Sequence, residues 1–148
     1  MDWIDTQAQL PWLGSPPFWL SHADGSRLRE SLTRLGFVVF EAGASAAATD
    51  AEFRQSMSDA MGLADYAWKN WNTFVDAFGD LVRSTTLPIA LIWLNPLATF
   101  LPDVHNGLRL YSTLASILGE WNRVGPECHQ VELFLQGDKT VPSDQGSS

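Results

Sequence analysis

The chain has 148 residues, 17 acidic against 9 basic side chains, and a formal net charge of −8. A surplus of this sign disfavours nucleic acid or an anionic membrane surface as ligand and favours a basic partner. Hydrophobic residues make up 45%, with 7 Trp and 8 Phe, which excludes a disordered segment and gives one domain's length of chain a core to fold around.

Residues 1–25 read as an N-terminal arm. Trp3, Trp12, Phe18 and Trp19 lie among Pro11, Pro16 and Pro17, a mixture that packs onto a domain without regular structure, although Phe18 to Ser21 can add a short strand. Asp24 or Ser26 caps a helix that runs to Leu35, with Leu28, Leu32 and Leu35 inward and Gly36 as its stop. Phe37–Phe40 follows as a strand without alternation, hence covered on both faces. Ala42 to Ala48 is a loop of small residues. Thr49 and Glu52 form a capping box for a helix through Phe53, Met57, Ala60 and Met61, which Gly62 ends.

The loop from Leu63 to Ala67 leads into a helix read from about Trp68 onward. Trp71, Phe74, Val75, Phe78, Leu81 and Val82 fall at the spacing of one buried stripe. Asn72, Asp76 and Asp80 stand four apart in a polar column on the other side, with Gly79 beside them to admit a close approach. Such a column is either a solvated face or a ligand surface. Most such columns are solvated; Tyr66 and Trp68, aromatic in a loop of small and polar residues, add weight to the second reading.

Leu87–Leu94 is the strongest strand, apolar without alternation and therefore central in a parallel sheet. Pro102-Asp103 opens a helix to about Asn122, its buried stripe traced by Val104, Leu108, Tyr111, Ala115 and Leu118 and widened by Leu114, Ile117 and Trp121. Val131–Leu135 alternates and suits an edge strand. The polar tail, residues 137–148, reads as disordered. Strands separated by helices imply an α/β domain over residues 26–136, with a three-stranded parallel sheet and helices packed on it.

No apolar run is long enough to span a bilayer, and the N-terminus lacks a basic signal region, so a cytoplasmic protein is expected. Cys128 is alone and points to a reducing compartment; as strand neighbours it and His129 face opposite ways and read as structural. The histidines, His22, His105 and His129, are scattered, and no metal spacing, phosphate loop or nucleophile motif accompanies them, so neither an enzyme nor a cofactor is expected.

The run Gly62 to Leu81 resembles the signature of the barstar family, the intracellular ribonuclease inhibitors. Tyr66, Asn70, Trp71, Phe74 and Asp76 carry the resemblance, and the order of strands and helices over residues 37–136 agrees with it. Two positions depart: Trp68 stands where the family has glycine, and Asn72 where it has the first helix aspartate. The resemblance implies an inhibitor of a small basic ribonuclease, monomeric when free and binding no nucleic acid itself. Its acidic helix and preceding loop would fill the enzyme's cationic active site. The implied contact residues are Tyr66, Trp68, Asn70, Asn72, Thr73, Asp76, Gly79, Asp80 and, on the later helix, Glu120. Asp76 would replace a substrate phosphate, Tyr66 and Trp68 would anchor around it, and Asn70 would order the loop. Two other functions fit the same residues: a module of this fold that binds a different basic protein, and a domain that self-associates through its Trp-rich arm.

Overall fold

The computed structural model describes residues 2–43, 49–123 and 128–137. Most of the small-residue loop expected at Ala42–Ala48, and the expected tail beyond Gly137, lie outside these residues. The elements in chain order are a single-turn helix α1 (Thr6–Gln9), a 3-10 turn (Pro11–Leu13), strand β1 (Phe18–Leu20), a 3-10 turn (His22–Asp24), helix α2 (Gly25–Leu35), strand β2 (Val38–Gly43), helices α3 (Asp50–Met61) and α4 (Trp71–Ser84), strand β3 (Ile89–Leu94), helices α5 (Leu97–Phe100) and α6 (Val104–Gly119), and strand β4 (Val131–Gln136). No helix among the described residues is long and apolar enough to cross a membrane.

The strands form one parallel sheet in the order β1-β4-β3-β2. The expected count of three strands is corrected to four, because Phe18–Leu20 of the arm pairs with β4, Phe18 opposite Phe134. The rings of Phe18 and Phe134 stack with centroids 5.3 Å apart, so the arm is joined to the domain by main chain and side chain alike. β3 is central, as its unbroken apolar run requires, and its residues Ile89 to Trp93 are all buried.

The two flanking strands exchange the roles expected of them. β2 reads as covered on both faces but is an edge, and Val38, Val39 and Phe40 are only half-buried. β4 reads as an edge but lies between β3 and β1. Its polar side chains find partners under the arm. Glu132 accepts hydrogen bonds from the Thr6 hydroxyl at 3.1 Å and the Gln130 amide at 3.0 Å, and the Gln130 amide also donates to the Ile4 carbonyl at 2.7 Å. Gln136 accepts from Arg29 at 3.1 Å. Alternation thus marks polar groups that require partners, and here the partners are protein rather than water.

Helices cover both faces. α3, α4 and α6 pack on one, around Phe53, Phe74, Phe78, Trp93, Leu110 and Leu114; α2 and the arm pack on the other, around Leu28, Leu32, Phe37, Ile92 and Phe134. This division follows from right-handed crossovers: the step from β1 to β2 traverses the sheet in the direction opposite to the steps from β2 to β3 and β3 to β4. Burying each such large side chain stabilises the fold by about 1.5–3 kcal/mol.

Two expected core faces are corrected. Val75 of α4 is exposed, and in α6 Val104 and Leu108 are exposed, while Gly107, Leu110, Leu114, Ile117 and Leu118 are buried. Gly107 sets the rotation of α6. A Cβ there would lie 2.2 Å from Phe100 Cδ1 and 2.8 Å from Phe100 Cα, so the helix backbone itself is pressed onto α5. With position 107 inward, 104 and 108 turn away.

Candidate functional site

α4 begins where Asn70 leaves helical geometry at φ −158°, ψ 174°. Asn70 Oδ1 accepts from the Thr73 amide at 2.8 Å, and Thr73 Oγ1 accepts from the Asn70 amide at 3.1 Å. This is a reciprocal capping box in which Asn and Thr fill the places usually held by Ser or Thr and Glu. The Thr73 hydroxyl proton is shared between the Asn70 carbonyl at 2.9 Å and the Ala67 carbonyl at 3.3 Å. Both side chains therefore serve their own helix start.

The loop before α4 is wound on one buried methyl group. Ala67 is fully buried; its amide donates to the Ala64 carbonyl at 2.9 Å, and the Lys69 amide donates to the Tyr66 carbonyl at 3.2 Å. With Ala67 pinned inward, its neighbours Tyr66 and Trp68 stand outward at 41% and 38% exposure. Arg54 of α3 holds the main chain from beneath. Its guanidinium is buried and donates from Nε to the Trp68 carbonyl at 2.8 Å and from Nη2 to the Lys69 carbonyl at 3.2 Å. It also lies over the Trp71 ring, 5.4 Å from its centroid, and 3.9 Å from the Asp50 carboxylate. The two aromatic side chains are thereby presented on a fixed backbone.

Asp50 connects this support to the rest of the domain. It accepts from Arg109 Nη1 at 2.9 Å, from Arg109 Nη2 through a short contact, and from Trp71 Nε1 at 3.3 Å. The Arg109 hydrogen bonds hold the Asp50 carboxyl below its ordinary range; partial burial opposes them and the Trp71 bond reinforces them. The same pairing pushes the Arg109 guanidinium up. Helices α3, α4 and α6 meet at this carboxylate.

Asn72, Asp76 and Asp80 of α4 are all exposed, as the helical spacing requires. The two acids differ in their surroundings. Asp80 accepts from Arg83 Nη2 at 3.0 Å, and the Arg83 guanidinium also lies 5.5 Å from the Trp121 ring centroid. Asp76 has no hydrogen-bond or ion-pair partner among the described residues. Gly79 is buried rather than open to a partner: a Cβ there would meet the Trp121 ring at 3.1 Å, so this chain's own tryptophan fills the space. Trp121 in turn stacks edge-on against His129 at 5.7 Å. Glu120, the residue before Trp121, is exposed at the C-terminal cap of α6.

The structure thus brings Tyr66, Trp68, Asn70, Asn72, Thr73, Asp76 and Asp80 onto one continuous loop and helix and commits Asn70, Thr73 and Gly79 to internal contacts. Arg54 and Asp50 are the residues that sequence reasoning missed. Their signal was faint: an arginine beside Phe53 in a helix whose other inward positions are apolar apart from Ser58, with an aspartate four residues before it. Cys128 is buried, and among the described residues no cluster of three or more His, Cys, Asp or Glu is placed to hold a metal. The loop and α4 present two exposed carboxylates without an ion-pair partner among the described residues, Asp65 and Asp76, beside the exposed side chains of Tyr66 and Trp68. No family model, no curated protein and no solved structure matched this chain.

Proposed function

We propose that this protein is a barstar-like inhibitor of a small basic ribonuclease. The observation that carries the reading is Asp76: an exposed carboxylate without a counter-charge among the described residues, next to an aromatic loop whose backbone is fixed by a buried guanidinium. A ribonuclease active site binds a polyanion and is therefore lined with Arg, Lys and His. Asp76 enters it where a phosphate would sit and accepts charge-assisted hydrogen bonds from which water is excluded. Tyr66 and Trp68 supply apolar contact area around that bond at low entropic cost, because the loop is already ordered. Asp80, neutralised by Arg83, stays at the margin. In this reading the protein works in the cytoplasm, as a monomer until it meets the enzyme.

A second reading, the same surface turned to a different basic protein, is favoured by Trp68, since an indole in place of glycine changes the shape of the contact. Self-association through the arm has less to support it. Phe18 and Leu20 are buried on this chain's own sheet, and the Trp12 ring is covered by Arg27 at 4.0 Å.

The test is capture from the source cell and its medium on the immobilised protein, followed by an RNA-cleavage assay on what is retained. A small basic ribonuclease, inhibited at one-to-one stoichiometry, is the expected result. A captured basic protein that cleaves no RNA overturns the inhibitor reading and supports the second.

A further inference from the structure

Trp68 does not only face outward; together with Ala51, Glu52, Gln55 and Ser56 of α3 it lines an open cleft of about 390 Å³. None of the residues that line it belongs to α4. Its chemistry is an indole ring, a carboxylate and a side-chain amide. The Glu52 carboxylate is held in place at one oxygen by the Thr49 amide at 2.9 Å, and that hydrogen bond holds its carboxyl below the ordinary range. Three of the other tryptophans carry an arginine, Arg27 over Trp12, Arg54 over Trp71 and Arg83 over Trp121, whereas among the described residues Trp3, Trp19 and Trp93 do not. Among the described residues Trp68 carries no such cation, although it has the same ring and a carboxylate beside it.

We propose that this cleft receives an arginine side chain of the basic partner, its guanidinium stacked on Trp68 and paired with Glu52, and that it is a second specificity contact outside the Asp76 site. The inference rests on the reading of the α4 face as an interface, and it gives the departure from glycine at position 68 a purpose. A guanidinium stacks on indole while its edge donors reach a carboxylate, and both attractions require the cation. The chain's net charge of −8 favours the same class of group. Glu52 contributes through its free oxygen; Gln55 accepts a further N–H from the rim.

The test begins with the protein alone. A short blocked peptide with one arginine, and its neutral citrulline counterpart, are titrated while the indole N–H resonance of Trp68 is followed by nuclear magnetic resonance. The arginine peptide shifts that resonance with a dissociation constant of about tens of millimolar, and citrulline does not. Glu52→Gln keeps the capping geometry, because glutamine also serves in that box, yet weakens the arginine peptide by about threefold. Trp68→Ala leaves the fold intact, since Arg54 holds only the main chain there, and weakens an arginine-bearing partner by about fivefold to tenfold. Equal shifts from arginine and citrulline, or arginine binding indifferent to Glu52→Gln, overturn the proposal. The two readings fail separately. A ribonuclease inhibited through Asp76 while the arginine peptide leaves Trp68 unmoved removes the cleft alone; arginine binding at Trp68 in a protein that inhibits no ribonuclease removes the inhibitor reading alone.

Discussion

Replacing Arg54 by Met tests whether the aromatic loop is ordered from beneath. Methionine keeps the length of the stem and its apolar contacts but removes the guanidinium. Lost with it are the bonds to the Trp68 carbonyl at 2.8 Å and the Lys69 carbonyl at 3.2 Å. A hydrogen bond from a charged donor contributes about 1.5–3 kcal/mol, and the longer of the two belongs at the bottom of that range. The cation over Trp71 adds about 0.5–1 kcal/mol. The 3.9 Å approach to Asp50 adds little, since Arg109 already neutralises that carboxylate. Water reaching the freed carbonyls and the new apolar burial offset part of the loss. The net destabilisation is about 2–3 kcal/mol, which lowers the melting temperature by about 4–12 °C in a chain of this size. Urea unfolding measures the first quantity. Trypsin measures the local one: the bond after Lys69 is held within the turn, and cutting there accelerates in Arg54→Met beyond what global destabilisation explains. A loss below about 0.5 kcal/mol with unchanged cutting at Lys69 would show that the loop stands without Arg54, the level of an ordinary surface substitution.

The proposed inhibitor reading requires that Asp76→Ala weaken binding to a cognate ribonuclease by about 3–5 kcal/mol, the cost of leaving buried cations without their partner, while Asp80→Ala, already paired to Arg83, costs about 0–1 kcal/mol; equal losses by calorimetry would reduce the effect to net charge. Association with that partner slows markedly as salt rises, because long-range attraction is screened, and a rate that stays flat in stopped flow would indicate an apolar interface. Asp50 has a lowered pKa in the folded protein, so the stability it contributes is complete above its unfolded value near 3.8 and is lost as pH falls through the lower folded value. Asp50→Asn therefore loses stability at neutral pH and shows a flatter acid limb below about pH 4, read from urea midpoints against pH; parallel curves for the two proteins would contradict the pairing.

Local signals in this sequence were the most legible. Thr49 and Glu52 close the capping box that their spacing announces, Gly62 ends α3 in the left-handed conformation at φ 64°, and β3 is central because nothing polar interrupts it. What failed depends on neighbours far away in the chain. Whether β2 or β4 is the edge is decided by the arm, which arrives at β4 and hides Glu132 against Thr6. Helix α6 has apolar residues on most of its circumference, so its periodicity does not select a face; Gly107 against Phe100 does. At the candidate site the exposure of Asn72 and Asp76 followed from spacing, and Tyr66 and Trp68 stood out as aromatics in a loop of small and polar residues. The burial of Gly79 did not, because Trp121 reaches it from another helix. Arg54 was hidden for a different reason: its acceptors are main-chain carbonyls, which every residue has and no pattern marks.

The pairing of β1 with β4 has a consequence for biosynthesis. Phe18 emerges from a ribosome long before Phe134, its partner in the ladder. Through most of translation Phe18 and Leu20, buried in the finished molecule, remain in water beside Trp19. Closing so long a span costs only slightly more chain entropy than a shorter one, so final stability hardly suffers. The burden falls on waiting time, during which an apolar strand with an open edge is at risk of pairing with another nascent chain. Release of β4 therefore completes this ladder and withdraws Phe18 and Leu20 from solvent in a single event.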